Sequence, residues 1–330
     1  MSFPFNFYLL SAAGAFLFSA LWLPVWRVVC RRIGLVDDPG HRKIHDTPIP
    51  LAGGFSVLTG MVVPLVLGVI ALRLDFPAVH QARQLLEHGF EKRGLELGAI
   101  VLGAMVTVVT GLLDDKYELR PAVKFSGQFI AALLVALANA RITLFVPSLA
   151  FSYAITILWM LTVINAFNFM DNMNGLCAGL GFVCSLTFGI ISAINGQYLV
   201  GMMASLICGS LLGFLPYNFP KASAFLGDAG SHLVGYLLAV MAVLPHFSTK
   251  LHPRPWAVLT PLLVLAVPLG DLVCVVIIRW RLGRPFYVGD NNHLSHRLVK
   301  GGMSKTKAVV MIWLLAVVSG IAGILLNLIG

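Results

Sequence analysis

Ten apolar stretches, each close to membrane-spanning length, follow one another along this chain, and few folds can accommodate them. They cover residues 5–26, 51–72, 95–113, 122–140, 151–168, 175–194, 198–216, 231–247, 256–280 and 306–328. A helix needs about 20 predominantly apolar residues to cross the hydrocarbon core, and a spanning segment must satisfy its own backbone hydrogen bonds. The predicted fold is therefore all-α: a polytopic transmembrane bundle of about ten helices, with residues 1–330 as a single integral membrane domain. Charged residues make up only 11% of the chain, against about 25% in a soluble domain. Two soluble domains, which length alone would suggest at about 150 residues each, do not fit that scarcity.

Sidedness follows from the basic residues. The first stretch has no Lys or Arg before it and Arg27, Arg31 and Arg32 after it, the reverse of a cleavable signal peptide. It is expected to remain as a span with its N-terminus outside. Alternating from there, and counting residues at the span ends, the odd-numbered connections carry 16 of the 23 Lys and Arg residues and the even-numbered ones 7. Positive residues mark the cytoplasmic side, so the odd connections are expected in the cytoplasm and both termini outside. The net charge of +9 then reads as membrane anchoring and an anionic substrate rather than nucleic acid. The five cysteines show no CxxC spacing, which points to neither a disulfide framework nor a zinc ribbon. Cys177 and Cys184 are expected in the packed core.

The polar motifs fall on the same side as the positive charge. Asp114-Asp115 ends the third span, ahead of Pro121 and Lys124. Adjacent helical residues point about 100° apart, so the two carboxylates are expected to take different partners, and Lys124 is placed to meet a phosphate. Asn165, Asn168 and Asp171 recur every three residues, share a helix face and suggest the wall of a polar cavity. Phe225-Leu-Gly-Asp228-Ala-Gly-Ser231 precedes the eighth span. Its carboxylate suits a hard cation such as Mg²⁺, its glycines permit close backbone approach, and Phe225 offers a ring for a nucleobase. Free N–H groups at the start of that span are expected to attract phosphate. His41, Arg42, Lys43 and His45 in the first connection suit a phosphate-rich ligand, although lipid headgroups would also satisfy them. Asn292-His293-Leu-Ser-His296-Arg297-Leu298 in the ninth connection lacks the further ligand that would complete a zinc site, and binding of a pyrophosphate fits better. Asp271, inside the ninth span, is expected to be buried and paired.

In this order the motifs resemble those of the polyprenyl-phosphate N-acetylhexosamine-1-phosphate transferase family, from about residue 35 to residue 298. The Pro-Ile-Pro-Leu-Ala-Gly-Gly loop and the Arg297-Leu298 ending look more like the N-acetylglucosamine-1-phosphate branch than the phospho-MurNAc-pentapeptide translocase branch. The resemblance implies a cytoplasmic cleft in the bacterial inner membrane, Mg²⁺ (with Mn²⁺ as a substitute), a UDP-sugar donor, a polyprenyl phosphate acceptor and UMP as product. It is compatible with a homodimer. By position it makes Asp228 the metal ligand and Phe225 the ring on uracil. Asp114 becomes the base or nucleophile, with Asp115 beside it, and Lys124, Asn168, Asp171, His293 and His296 line the cleft. Two departures stand out. The family commonly carries Asp-Gly-x-Asp-Gly where this chain has Asp171-Asn172-Met-Asn174-Gly175, and His-x-His-His-Arg where it has Ser295 in the middle. Two rival readings are a catalytically silent binding or assembly subunit, and a transporter, whose ion path should carry polar groups through both leaflets.

Overall fold

The computed structural model describes residues 4–38, 47–74, 80–144, 146–245, 247, 254–285 and 290–329, with side chains at 72 and 80–92 outside that description. Its helices are α1 (Phe5–Arg32), α2 (Gly53–Arg73), α3 (His80–Tyr117), α4 (Pro121–Leu137), α5 (Leu149–Met170), α6 (Leu176–Ile194), α7 (Tyr198–Asn218), α8 (Gly227–Val243), α9 (Thr260–Val264), α10 (Ala266–Arg281), α11 (Leu294–Lys300) and α12 (Lys305–Ile329). A two-residue antiparallel ribbon, β1 (Val36–Asp37) with β2 (Ile49–Pro50), closes the first connection.

Each of the ten predicted segments is helical. Among the described residues, seven helices are long and apolar enough to cross a membrane by length and composition, and the bent pair Pro255–Val264 and Ala266–Arg281 adds an eighth if it is one span. α4 and α8 are apolar but shorter. The protein is thus an all-α, multi-pass membrane protein. Its outer helices α1 and α12 present Leu9, Leu10, Leu21, Val318 and Ile321 outward, as lipid-facing helices do.

Three element boundaries differ from the sequence expectation. The ninth segment is not one helix: it bends by 71° between α9 and α10. Pro268 has no N–H to donate to the carbonyl four residues back, that of Val264, and the Cys184 thiol donates to this carbonyl instead, at 3.3 Å. Cys177 likewise donates to the Phe167 carbonyl at 3.4 Å, so both cysteines serve the core. Secondly, α3 begins at His80, 15 residues ahead of the third apolar stretch, and runs unbroken to Tyr117. Thirdly, α8 starts at Gly227, four residues early. Its placement sets the site.

α8 is buried on every side from Ala229 to Ala242, the pattern of a helix at a bundle centre. Glycines let its neighbours approach the first turn. A Cβ on Gly111 of α3 would lie 2.4 Å from the Cα of Ala229, and one on Gly54 of α2 would lie 2.8 Å from the Gly230 nitrogen. Backbone atoms cannot swing aside, so Gly111→Ala is expected to destabilise by about 1–3 kcal/mol, the usual cost of overpacking. Thermal unfolding in detergent measures it, and an unchanged midpoint would contradict this contact.

Candidate active site

Four helix ends and one short helix meet where the polar motifs lie. Asp114 and Asp115 occupy the last turns of α3, and Lys124 the first turn of α4, which opens with Pro121 at a position where a missing N–H costs nothing. Asn168 sits in the last turn of α5, and Asp228 in the first turn of α8.

Lys124 is the hub. Its Nζ lies 2.6 Å from Asp114 Oδ2 and 3.0 Å from Asp228 Oδ2. Asp228 Oδ1 accepts from the Asn168 amide at 2.6 Å, and that amide also reaches Ser231 Oγ at 3.0 Å. Asp114 Oδ1 accepts from the Leu119 backbone N–H at 2.8 Å, which fixes the turn into α4. As the 100° offset predicts, Asp115 takes other partners. It accepts from the backbone N–H groups of Asp228, at 2.7 Å, and Ala229, at 3.1 Å. Two of the N–H groups expected to attract phosphate at the start of α8 are therefore already capped by a carboxylate from α3. A helix start carries unsatisfied donors and partial positive charge, and no residue just before α8 caps it, so Asp115 fills the role. Gly227, at φ +74°, is required here, since a Cβ would stand 2.8 Å from Asp115 Oδ2.

Asp171 follows α5 as its C-cap. Burial, then the negative charges of Asp228 and Asp115, push its carboxyl up to about 8. Two of the four aspartates, Asp114 and Asp228, thus share the single lysine. Asn165 lies one turn deeper, where its amide donates to Gln128 Oε1 at 2.7 Å and to the Leu161 carbonyl. Gln128 in turn meets the buried His232 ring at 3.4 Å, so Asn165 heads a polar string behind the lysine rather than standing in the carboxylate group.

The second wall is α11. His293 is its N-cap, and Nδ1 of His293 lies 2.7 Å from Asp271 Oδ2, while Asp271 Oδ1 accepts from the Leu294 N–H at 2.6 Å. Both Asp271 and His293 are buried, 4% and 5% exposed. This gives the partner that the sequence foretold for Asp271 and a role that it did not: orienting His293. A lone carboxylate inside an apolar span was the available signal. Phe169 was not anticipated at all. Its ring meets His293 edge-on at 5.6 Å and carries the Arg279 guanidinium at 5.0 Å, and Arg279 pairs with Asp290 at 3.0 Å. Burial disfavours charge on Asp290, but the hydrogen bonds from Arg279 and Asn292 outweigh it and hold the carboxyl down at about 2. His296 is half-buried, and burial, then His293, Lys300 and Lys305, keep its imidazole below the usual value. Arg297 is exposed on the same short helix.

The loops are pinned by backbone contacts. Gly53 and Gly54 N–H groups donate to the carbonyls of Phe225 and Leu226, and Phe225 N–H to Pro50, at 2.9–3.0 Å. The Pro-Leu-Ala-Gly-Gly segment thereby holds Phe225 beside Asp228, and Phe225 itself is half-buried. Asn174, where a carboxylate is common, donates to the Pro220 carbonyl at 3.2 Å. Lys43 and His45, together with His41 and Arg42, lie outside the described residues.

A multi-pass helical membrane protein with aspartates, lysine and histidines gathered at helix ends is the class that this fold and site define. The family model for glycosyl transferase family 4 matches residues 97–246. Over 312 residues the chain is 30% identical to a probable undecaprenyl-phosphate N-acetylglucosaminyl 1-phosphate transferase of Bacillus subtilis, covering 92% of this chain and 80% of that protein. It is 32% identical over 314 residues to a decaprenyl-phosphate N-acetylglucosaminephosphotransferase of Mycobacterium tuberculosis, covering 87% and 74%. It is 28% identical over 326 residues to the undecaprenyl-phosphate alpha-N-acetylglucosaminyl 1-phosphate transferase of Escherichia coli K12, covering 94% and 81%. The chain belongs to the polyprenyl-phosphate N-acetylhexosamine-1-phosphate transferase family, within glycosyl transferase family 4.

Proposed function

We propose that this protein transfers N-acetylglucosamine-1-phosphate from a UDP-sugar to undecaprenyl phosphate, releasing UMP and starting a lipid-linked cell-envelope glycan. The observation that carries the reading is Lys124 bridging Asp114 and Asp228 at the junction of three helices. In the same reading the enzyme sits in a bacterial cytoplasmic membrane, with the odd-numbered connections and the site on the cytoplasmic side and both termini outside.

Transfer joins two anions, so charge neutralisation is the first requirement. The residues fit a divalent cation by their chemistry. Asp114 and Asp228 face one ammonium, which leaves excess negative charge, and Lys124 already marks a place where a cation satisfies two carboxylates. No group of three or more His, Cys, Asp or Glu forms a metal cage among the described residues. That is compatible with Mg²⁺, which uses one or two carboxylates and leaves the rest of its shell to water and substrate phosphates. Asp228 would hold it. When bound, the ion would supply neutralisation of charge on the transferred phosphoryl group.

The chain's own groups do the remainder. Lys124, with His293, His296 and Arg297 on the other wall, orients the donor pyrophosphate, and Phe225 stacks on the uracil. An oxygen of the lipid phosphate attacks the sugar-proximal phosphorus, the bond from that phosphorus to the bridging oxygen breaks, and UMP leaves with the bonding pair. Asp114 accepts the remaining proton of the lipid phosphate, or itself attacks first. The second pKa of a phosphate is about 6, so the proton-accepting role matters most below neutral pH.

Purified protein with UDP-GlcNAc, undecaprenyl phosphate and Mg²⁺ is expected to release UMP, and omission of the lipid or addition of EDTA to abolish it. UMP only from another UDP-sugar would reassign the donor, UDP-MurNAc-pentapeptide included. None from any of them would favour a silent binding subunit. Within an active enzyme, His293→Ala is expected to raise the KM for donor by about tenfold or more, the worth of a hydrogen bond to a charged group. An unchanged KM would remove His293 from the donor site.

A further inference from the structure

We propose that Asn172 and Ser295 are a matched pair of positioning residues that seats α11 against the Asp171 turn, each fixing what the other can be. Ser295 stands between His293 and His296 on α11 and is fully buried, at 0% exposure. Its hydroxyl donates to Asn172 Oδ1 at 2.6 Å. The amide of Asn172 is not free to turn, because its Nδ2 donates to the Phe169 carbonyl at 2.6 Å. An amide bound on one side through nitrogen must present oxygen on the other, and a hydroxyl at 295 is a donor that meets it.

The bond joins the two walls of the site. Asn172 adjoins Asp171 in the carboxylate group, and Ser295 lies on the helix that carries His296 and Arg297. Elsewhere α11 is anchored at its start, through Asp271 on His293 and the Leu294 N–H. Beyond its start α11 packs on α12, and the Asn172–Ser295 bond ties it to the Asp171 turn. Space agrees with hydrogen bonding. Ser295 is fully buried against Asn172, so an imidazole there would have to displace its neighbours, and glycine at 172 removes the side chain that it would meet. Both residues are departures from the pattern that the chain otherwise resembles, glycine at 172 and histidine at 295. They exchange a small–large pair for a larger–small one.

The inference rests on α11 being the donor-phosphate wall, and the experiment separates the two. Four variants of the full-length protein in detergent are compared with wild type: Ser295→His, Asn172→Gly, Asn172→Gly with Ser295→His, and Ser295→Ala. Directly contacting residues couple strongly enough to change a ratio several-fold. Ser295→His alone is expected to raise the KM for UDP-GlcNAc about tenfold or more, with a smaller change in kcat. The double variant is expected to return within about threefold of wild type. Ser295→Ala, which removes the bond without adding volume, is expected to raise the KM about threefold or more. Should Ser295→His not fold, Ser295→Ala, Asn172→Ala and their combination form the cycle, and the combination is expected to lose no more than the worse single. Losses that multiply in the double variants, or single variants that leave KM unchanged, overturn the proposal. If wild type releases no UMP from any UDP-sugar, the functional reading fails instead. The same cycle read in unfolding temperature then still decides the pairing: non-additive shifts support it and additive ones overturn it.

Discussion

Asp228→Ala is expected to lower turnover by roughly 10³-fold or more, the scale on which preorganised electrostatic groups act in a water-poor site. Asp228 is where the most functional geometry converges: its carboxylate meets Lys124 and Asn168, and its backbone N–H is held by Asp115. Alanine keeps that backbone bond, so α8 retains its start and the variant is expected to fold. What disappears is the charge that would hold a divalent cation, and with it one of the two anions on Lys124. Turnover of UMP is measured beside unfolding temperature and across a range of Mg²⁺ concentrations. Near-normal turnover in a folded variant would remove Asp228 as the metal-holding residue. A loss rescued at high Mg²⁺ would place its contribution in metal affinity.

Asp114→Asn is expected to keep donor binding and to lose about 10²–10⁴-fold in turnover, the range supplied by positioned proton transfer. The substitution is nearly isosteric. Its amide oxygen can still accept from the Leu119 N–H, as the carboxylate does, so the turn between α3 and α4 is preserved. Calorimetric titration with UDP-GlcNAc reads binding and UMP release reads chemistry, and a large loss of donor affinity would contradict the assignment. Exchange of labelled UMP into UDP-GlcNAc without lipid separates the two routes open to Asp114. Exchange in wild type that vanishes in the variant means attack by the carboxylate, and its absence in an active wild type means direct attack by the lipid phosphate.

Much of this architecture was legible in the residues because hydrocarbon tolerates few alternatives. All ten segments are helical, and the motifs that border them meet at helix ends. Where expectation failed, a contact between distant residues decided. The α8 start looked like an anion site because its local sequence leaves N–H groups free. Two of them, on Asp228 and Ala229, are bound by Asp115, more than a hundred positions earlier. The ninth segment looked continuous because apolar content says nothing of a carbonyl that loses its donor at Pro268 and finds one in Cys184. Asn165 shared a helical period with Asn168 and Asp171, yet one turn of depth gives it Gln128 as a partner in place of the lysine cluster.

The sequence by itself determined that the chain is a helical membrane protein and that its polar motifs border the apolar segments. Period, length and charge are local properties and survive without coordinates. Only the tertiary structure decided the pairing: Lys124 between Asp114 and Asp228, Asp271 behind His293, Ser295 on Asn172. Hydrogen bonds are short and directional, so which of several polar residues meet depends on helix depth, rotation and bend to within an ångström, and no spacing along the chain encodes that.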